Sequence, residues 1–411
     1  MSAFFFLARD YVHSQNACAG ILYTGRICSS MRGQTMPRIT LVSNTPPPYR
    51  VPVFQRLCRM PGVDFHVIFC SEREPNRLWD LPPFDFPHTF LRERFVTVRG
   101  RYIHHNPDVI SHLKRLAPDV VVTDGFNPTH LYAFAYAVMK NRAHAVMTDG
   151  TDVSEQSLSR VHKGVRRIVY ARSHAFIAAS QGGVRLYESY GIPAERCFMS
   201  CLCIDNGAYA APLPTAQQDR PFDFIFSGRI EAVKNPLFAL EVAAETARRI
   251  KRKTSILFAG SGSMEGDVRA VASRQSHLVD THLHGHAAQG QLPALYGSAR
   301  LFLFPTLWDP WGVVANEACA AGLPVITTPA AGVAGELVRD SENGFVCTPD
   351  VKTWAQRAAM LLTQDHVWRG FSRRSLALVD DYSYDKAAEG LMAACRACLS
   401  DDVRSGKRNL I

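Results

Sequence analysis

The sequence predicts an α/β protein built from two Rossmann-like, doubly wound domains that face each other across an interdomain cleft. Three observations predict it. From Pro37 onward, short β-branched runs alternate with amphipathic stretches, the pattern of a parallel sheet with crossover helices. That rhythm breaks once, in the proline-, glycine- and glutamine-containing DNGAYAAPLPTAQQDRP of 205–221, and then restarts. A chain of 411 residues is also long for one hydrophobic core, which makes two domains the default.

The elements follow in order. Residues 1–35 have an apolar start but an early Asp10 and no basic n-region, so they make a poor signal peptide. They are expected to be an extension, either disordered or read from a start codon assigned too early. RITLVSN, FHVIFC, DVVVTDG, HAVMTDG and AFIAAS are the strands of a first domain over 36–204. Each ends in small or polar residues, where α/β proteins place ligand-binding loops. Residues 205–220 form the expected linker. FDFIFSGRI, SILFAGSG, HLHGH, LFLFPT, PVITT and GFVCTP are the strands of a second domain over 221–384. Residues 385–411 complete the chain as a helix and tail that cross back to the first domain.

Composition narrows the class. With 47% hydrophobic and 20% charged residues the chain is an ordinary globular one. Its longest apolar candidate, LYAFAYAVM at 131–139, is about half of the roughly 18 residues a membrane span needs. Eleven scattered cysteines show no disulfide framework. Cys395 and Cys398 have metal-ligand spacing, but no second pair completes a site, and on a helix they share one apolar face. Reduced, buried thiols and a cytoplasmic location are expected. The net charge of +9 is concentrated in 37–220, with 22 Lys and Arg against 16 Asp and Glu. That excess is either a solvated face or a surface for an anionic membrane or a phosphate-bearing acceptor. Nucleic acid is not expected as a partner, since no recognised binding module accompanies the charge.

Four stretches carry chemistry. SGRIEAVKNP puts Arg229 at a strand end and Lys234 near the next helix. There they are either surface cations or a fork and a point charge matched to a diphosphate. FAGSGSMEGDV offers Gly260, Gly262 and Gly266, with Asp280 further on. It follows the second strand of its domain, so it reads as close backbone approach to a ligand rather than a nicotinamide fingerprint. His282, His284 and His286 alternate along one strand face, which is packing geometry before it is a metal site. LFPTLWDPWGVVANEACAAG places Asp309 in a loop and Gly312 at a turn. A helix start with free N–H groups at Gly312, Val313 and Val314 follows, and Glu317 lies more than a turn inside it. Two such carboxylates suit the hydroxyls at two ends of one extended ligand.

With SGRIEAVKNP, LFAGSGS, LPALYGSARLFLFPTLWDPWGVVANEACAAGLPVI and GVAGELVRDSENGFV in this order, the chain resembles the retaining glycosyltransferases of family four. They are also called glycosyl transferases group one and have the GT-B fold. The resemblance runs from about Pro37 to Tyr384. It implies that 36–204 serves the acceptor and 221–384 a nucleoside diphosphate sugar, UDP- or GDP-linked. Arg229 and Lys234 would hold the diphosphate, Glu317 the ribose and Asp309 the donor sugar, with Gly260, Gly262, Gly312, Val313 and Val314 as donor contacts. It further implies a metal-independent hexosyltransfer without a cofactor. The acceptor would be a glycan, lipid-linked or other cell-surface precursor hydroxyl, in polysaccharide biosynthesis for the cell envelope, at the inner face of the cytoplasmic membrane.

The chain departs from the family in three places. The first acid is usually Glu, and here it is Asp309. NTPPPYRVPVF replaces the glycine pair after the first strand, which makes Arg50 a candidate for phosphate or acceptor. The histidine expected after a middle strand is absent, leaving Asp149 as a catalytic candidate and Asp124 and Asp152 as acceptor or phosphate candidates. An epimerase of the same fold and a non-catalytic nucleotide-sugar-binding subunit are the alternatives. The first would need acid and base groups around the sugar carbon. The second sits poorly with Arg229, Lys234 and Glu317 occurring together.

Overall fold

Parallel strands with apolar residues on both sides need helices on both faces, and the first half shows how the chain supplies them. The computed structural model describes residues 36–75, 83–98, 101–210 and 219–400. The expected extension 1–35, most of the later part of the expected linker (211–218) and the tail from 401 lie outside them. From Pro37 the chain is one compact unit.

The first half runs β1 (Arg38–Ser43), α1 (Val51–Arg59), β2 (Asp64–Phe69), β3 (His88–Phe90), β4 (Phe95–Val98), β5 (Arg101–His104), α2 (Val109–Leu116), β6 (Val120–Thr123), α3 (Pro128–Met139), β7 (Ala143–Thr148), α4 (Asp152–Gln156), α5 (Arg160–Tyr170), β8 (Ala175–Ala178), α6 (Gln181–Glu188) and β9 (Cys197–Met199). Seven of these strands form one parallel sheet in the order β3-β2-β1-β6-β7-β8-β9. In β6, Val120 and Val122 enter the core on one face and Val121 the core on the other, the period-two alternation of a strand. β4 and β5 pair with each other as an antiparallel hairpin. The basic RERFVTVRGR stretch therefore includes strand, with Val96 and Val98 exposed.

After a short helix α7 (Asn206–Tyr209) the second half runs β10 (Phe222–Ser227), α8 (Pro236–Ile250), β11 (Thr254–Ala259), α9 (Glu265–Arg274), β12 (Val279–Gly285), α10 (Leu292–Gly297), β13 (Ala299–Phe304), α11 (Val313–Ala320), β14 (Val325–Thr327), β15 (Gly344–Val346), α12 (Val351–Thr363), α13 (Asp365–Val379) and α14 (Tyr384–Ala397). Its sheet is parallel, in the order β12-β11-β10-β13-β14-β15. In each sheet the strand order reverses once, between β1 and β6 and between β10 and β13. Ligands of open α/β sheets bind outside the carboxyl ends of the strands at such a point.

Two parts of the chain tie the halves together. In the segment after β9, Cys201 and Cys203 lie in the core of the first half, while Leu202 and Ile204 lie in a core of the second. At the other end, α14 returns to the first half and buries Leu391, Met392, Ala394 and Cys395 against its sheet. The approach is close: a Cβ on Gly390 would stand 1.6 Å from the Met199 carbonyl oxygen. Each fully buried Leu or Met there contributes roughly 1.5–3 kcal/mol.

Two expectations change. The stretch read as a linker from 205 is packed at its start, where Tyr209 is buried with its ring 5.9 Å from that of Tyr296. On β12, His282 is exposed and its neighbour Leu283 packs against the core, so the histidines are not on the packing face. An edge strand has one wet face, and alternation alone does not say which.

Candidate functional site

The loops after β10 and β13 meet at the switch point of the second sheet. After Ser227 the chain turns at Gly228 (φ +127°), exposes Arg229, buries Ile230 and makes a 3₁₀ turn over Ala232–Lys234. The Val233 carbonyl accepts from the Leu307 N–H at 2.8 Å and from the Thr306 hydroxyl at 3.2 Å, which stitches the two loops together. Lys234 and Asp309 form an ion pair through Nζ and Oδ2, with 19% and 15% of their side chains exposed. The other carboxylate oxygen accepts the Trp311 N–H at 3.1 Å, and the Asp309 N–H donates to Ala330 at 3.2 Å. Asp309 is thus held from three sides. Arg229 forms no ion pair among the described residues.

Gly312 is required where it stands. Its φ is +101°, and a Cβ would lie 2.5 Å from the Phe304 ring. It begins α11 without a side-chain cap, so the N–H groups of Val313 and Val314 lack intrahelical partners. Glu317, one turn further, is 6% exposed and accepts the Tyr296 hydroxyl at 2.8 Å. Burial pushes its carboxyl up to about 7, and the hydrogen bond from Tyr296 pulls the other way. Tyr209 lies beside it, its own ionisation made harder by burial and by the Glu317 charge.

The glycines after β11 do a different job from the one read in the sequence. A Cβ on Gly260 would come 1.9 Å from the Gly228 carbonyl oxygen, and one on Gly262 2.4 Å from that of Ile230. Gly260 donates to Gly285 at 2.8 Å and Gly262 to Glu265 at 3.1 Å. These glycines let two loops of one sheet edge approach each other, and their N–H groups are already taken. Gly266 has open space around it, and Asp280 is exposed and 3.8 Å from Lys253.

In the first half, Arg50 is not available as a surface cation. It is 3% exposed, and its guanidinium donates to the Ser200 carbonyl at 2.9 Å, the Ser200 hydroxyl at 3.1 Å, the Cys201 carbonyl at 3.2 Å and Asp149 at 2.9 Å. A buried cation needs such partners, and here they join the loop after β1, the end of β7 and the segment between the halves. Asp149, with 45% of its side chain exposed, is the other side of that pair. Asp152 opens α4 behind the Thr151 cap and bonds Arg185 at 3.1 Å, a surface arrangement. Asp124 stands at the end of β6 with His130 Nε2 at 3.1 Å. Among the described residues, no group of three or more His, Cys, Asp or Glu side chains is placed to hold a metal ion.

The structure therefore brings together Lys234 with Asp309, and Arg50 with Asp149. It sets Gly312, Val313, Val314 and Glu317 along one helix. Sequence reasoning missed Tyr296, Tyr209, His130 and Glu336. Tyr296 and Glu336 lie inside the quoted stretches LPALYGSA and GVAGELV, so position within a motif was a usable signal. The Glu336 carboxylate, on the loop after β14, accepts the Gln181 N–H at the start of α6 and so links the halves. Burial pushes it up to about 7.

Residues 214–374 match the family model described as glycosyl transferases group 1. Glycogen synthase of Mycobacterium tuberculosis (strain ATCC 25618 / H37Rv) is 33% identical over 149 residues, 36% of this chain and 36% of that protein. A D-inositol 3-phosphate glycosyltransferase of Rhodococcus jostii (strain RHA1) is 27% identical over 277 residues, 64% of this chain and 60% of that one. The chain thus spans between about a third and three fifths of the length of these relatives. Among solved structures, Anabaena Alr3699/HepE in complex with UDP superposes with a TM-score of 0.68 at 14% identity, covering 88% of this chain and 100% of that one. A glycosyltransferase from Rickettsia africae ESF-5 gives 0.68 at 14%, with 89% and 99% covered. Identity this low speaks for the fold. Over residues 214–374 the chain is similar to the glycosyl transferases of group 1, and its two Rossmann-like halves have the GT-B fold of the structures it superposes on.

Proposed function

We propose that the protein is a retaining glycosyltransferase. It moves a hexose-type sugar from a nucleoside diphosphate sugar to a hydroxyl of a glycan, lipid-linked or other cell-surface precursor. The observation that carries this reading is the Lys234–Asp309 pair at the β10/β13 switch point, beside the uncapped start of α11. A leaving diphosphate needs matched positive charge. Arg229, Lys234 and the N–H groups of Val313 and Val314 supply it without a metal. The diphosphate so stabilised takes the proton of the acceptor hydroxyl as the sugar is transferred. Asp309 receives the donor sugar and Glu317 the ribose. That Anabaena Alr3699/HepE is seen with UDP and with UDP-glucose supports UDP as the nucleotide. No described helix is long and apolar enough to cross a membrane. The basic first half supports a cytoplasmic enzyme that touches an anionic membrane at its surface.

The test is a thermal-shift screen with UDP, GDP and their sugars, followed by product analysis. A ligand at 100 times its dissociation constant adds about 2.7 kcal/mol of stability. Stabilisation by one nucleotide together with release of its free diphosphate supports transfer. An epimerised sugar without release, or no stabilisation by any nucleotide, removes the reading.

A further inference from the structure

The segment that joins the halves carries a tyrosine whose hydroxyl is left without a bond. In α7, Asp205 caps the turn by accepting the Ala208 N–H at 3.3 Å. Asn206 donates to the Val379 carbonyl at 2.9 Å and to the Tyr382 carbonyl at 3.4 Å. Those carbonyls lie where the chain leaves α13 for α14, so α7 is fixed to both stretches that cross between the halves. Tyr209, the last residue of α7, is 3% exposed and lies in the core that holds Tyr296 and Ala315.

Two phenols converge on Glu317. Tyr296 donates to Oε2 at 2.8 Å, but the Val314 carbonyl is 3.2 Å from the same hydroxyl, and one hydrogen cannot serve both. The Tyr209 ring stands 5.9 Å from the Tyr296 ring, and its hydroxyl lies within reach of the Glu317 charge. That hydroxyl is nevertheless buried and out of line for a hydrogen bond with any described residue. A buried hydroxyl without a partner lowers stability. Phenylalanine would fill the same apolar space without that loss, so packing alone does not account for the tyrosine.

We infer that Tyr209 is a positioning residue of the nucleotide site, whose hydroxyl donates to the Glu317 carboxylate when that carboxylate takes the ribose hydroxyls. The inference rests on the proposed assignment of Glu317 to the ribose, and it adds a residue from outside the donor motifs. A carboxylate that accepts two ribose hydroxyls does so best as an anion. Burial opposes the anion and pushes the carboxyl up to about 7 in the empty site, against the pull of the Tyr296 and Tyr209 hydroxyls. A second phenol donor, brought into line as the ligand arrives, offsets that opposition, because hydrogen bonds to a charged group are the strong ones. Asn316, beside Glu317 on α11, already donates to the Leu202 carbonyl of the joining segment at 3.2 Å. With Tyr209 engaged as well, nucleotide occupancy is felt by the piece of chain that holds the halves together.

The test uses the full chain. UDP and GDP are titrated by calorimetry, and the tighter one is compared with its dideoxy form, which lacks both ribose hydroxyls. Wild type is expected to prefer the ribose form. Tyr209→Phe is expected to lower affinity for the ribose form about tenfold and for the dideoxy form less than about twofold. Without ligand it should melt no lower than wild type, since it removes an unbonded hydroxyl. In a Glu317→Gln background the same substitution should cost less than about twofold, because the charge that the hydroxyl answers has gone. If Tyr209→Phe does not fold, wild type alone decides. Its amide exchange across 206–210 should slow at saturation with the ribose form and not with the dideoxy form. Equal losses for the two forms, no loss, losses that add in Glu317→Gln, or equal protection by both forms overturn the inference and leave the glycosyltransfer standing. A wild type that binds both forms alike overturns the ribose assignment beneath it, and one that binds neither diphosphate overturns the proposed function.

Discussion

Lys234 and Asp309 neutralise each other in the absence of ligand, so removing one should leave the other half-buried and unpaired. Lys234→Ala and Arg229→Ala are each expected to lower donor use about tenfold to a hundredfold, a loss of roughly 1.5–3 kcal/mol, read as kcat/KM at several donor concentrations. The two acids should separate as well. Asp309→Asn frees Lys234 from its carboxylate partner, so it should keep the affinity for free nucleoside diphosphate at or above that of wild type while lowering turnover, and Glu317→Gln should weaken the nucleoside diphosphate itself. Calorimetry with diphosphate alone tells them apart. Glu317 has a further consequence. Its carboxyl is raised from 4.5 to about 7 by burial, so the stability it contributes is full below about 4.5 and is lost as pH rises through about 7. At pH 8 the empty enzyme carries a buried charge, and Glu317→Gln should raise its melting temperature there even as it costs affinity. A variant that melts lower than wild type at pH 8 contradicts this. The motif residues were legible because strand-end cations and carboxylates are distinctive in sequence. Tyr296 and His130 were not, because only tertiary packing brings them against Glu317 and Asp124.

Among elements, the strands whose residues are buried on both faces were all legible as apolar runs: β1, β2, β6, β7 and β8, then β10, β11, β13 and β14. The short or wet ones were harder. β3 and β9 have three residues each, none fully buried, and β4 is exposed at three of its four residues. Glycines inside helices show the same limit, since identical residues answer to different surroundings. Gly370 in α13 has nothing within 4 Å of its would-be Cβ, whereas Gly390 in α14 lies against the Met199 carbonyl. Gly370→Ala should stabilise by roughly 0.5–1 kcal/mol through lower chain entropy and better helix propensity. Gly390→Ala should destabilise by about 1–3 kcal/mol or more through overpacking against backbone. Urea unfolding of the pair measures both, and equal effects would contradict the close fit of α14 on β9.

At the scale of the molecule, the halves are joined by packing as well as by chain. The segment from Cys201 to Ile204 gives alternate side chains to each, and Asn316 of α11 donates to the Leu202 carbonyl at 3.2 Å. Glu336 adds a contact at the start of α6. Glu336→Ala should leave overall stability within about 1 kcal/mol, as for a partly exposed pair, but speed amide exchange at Gln181. Unchanged exchange there would mean that the contact does not hold the halves together in solution.

The return of α14 bears on how the protein is made. The first sheet is complete in sequence at Met199, but α14, which shares one of its faces with α1, begins only at Tyr384, about 185 residues later. At roughly 5–20 residues per second, that is on the order of ten to forty seconds of synthesis. Through this interval Val120, Val122, Ile177 and their neighbours wait beside the emerging second half without Leu391 and Met392. The nascent chain thus carries an apolar face that α1 covers only in part until α14 emerges, and a ribosome stalled in the second half would leave a product prone to chaperone capture or aggregation.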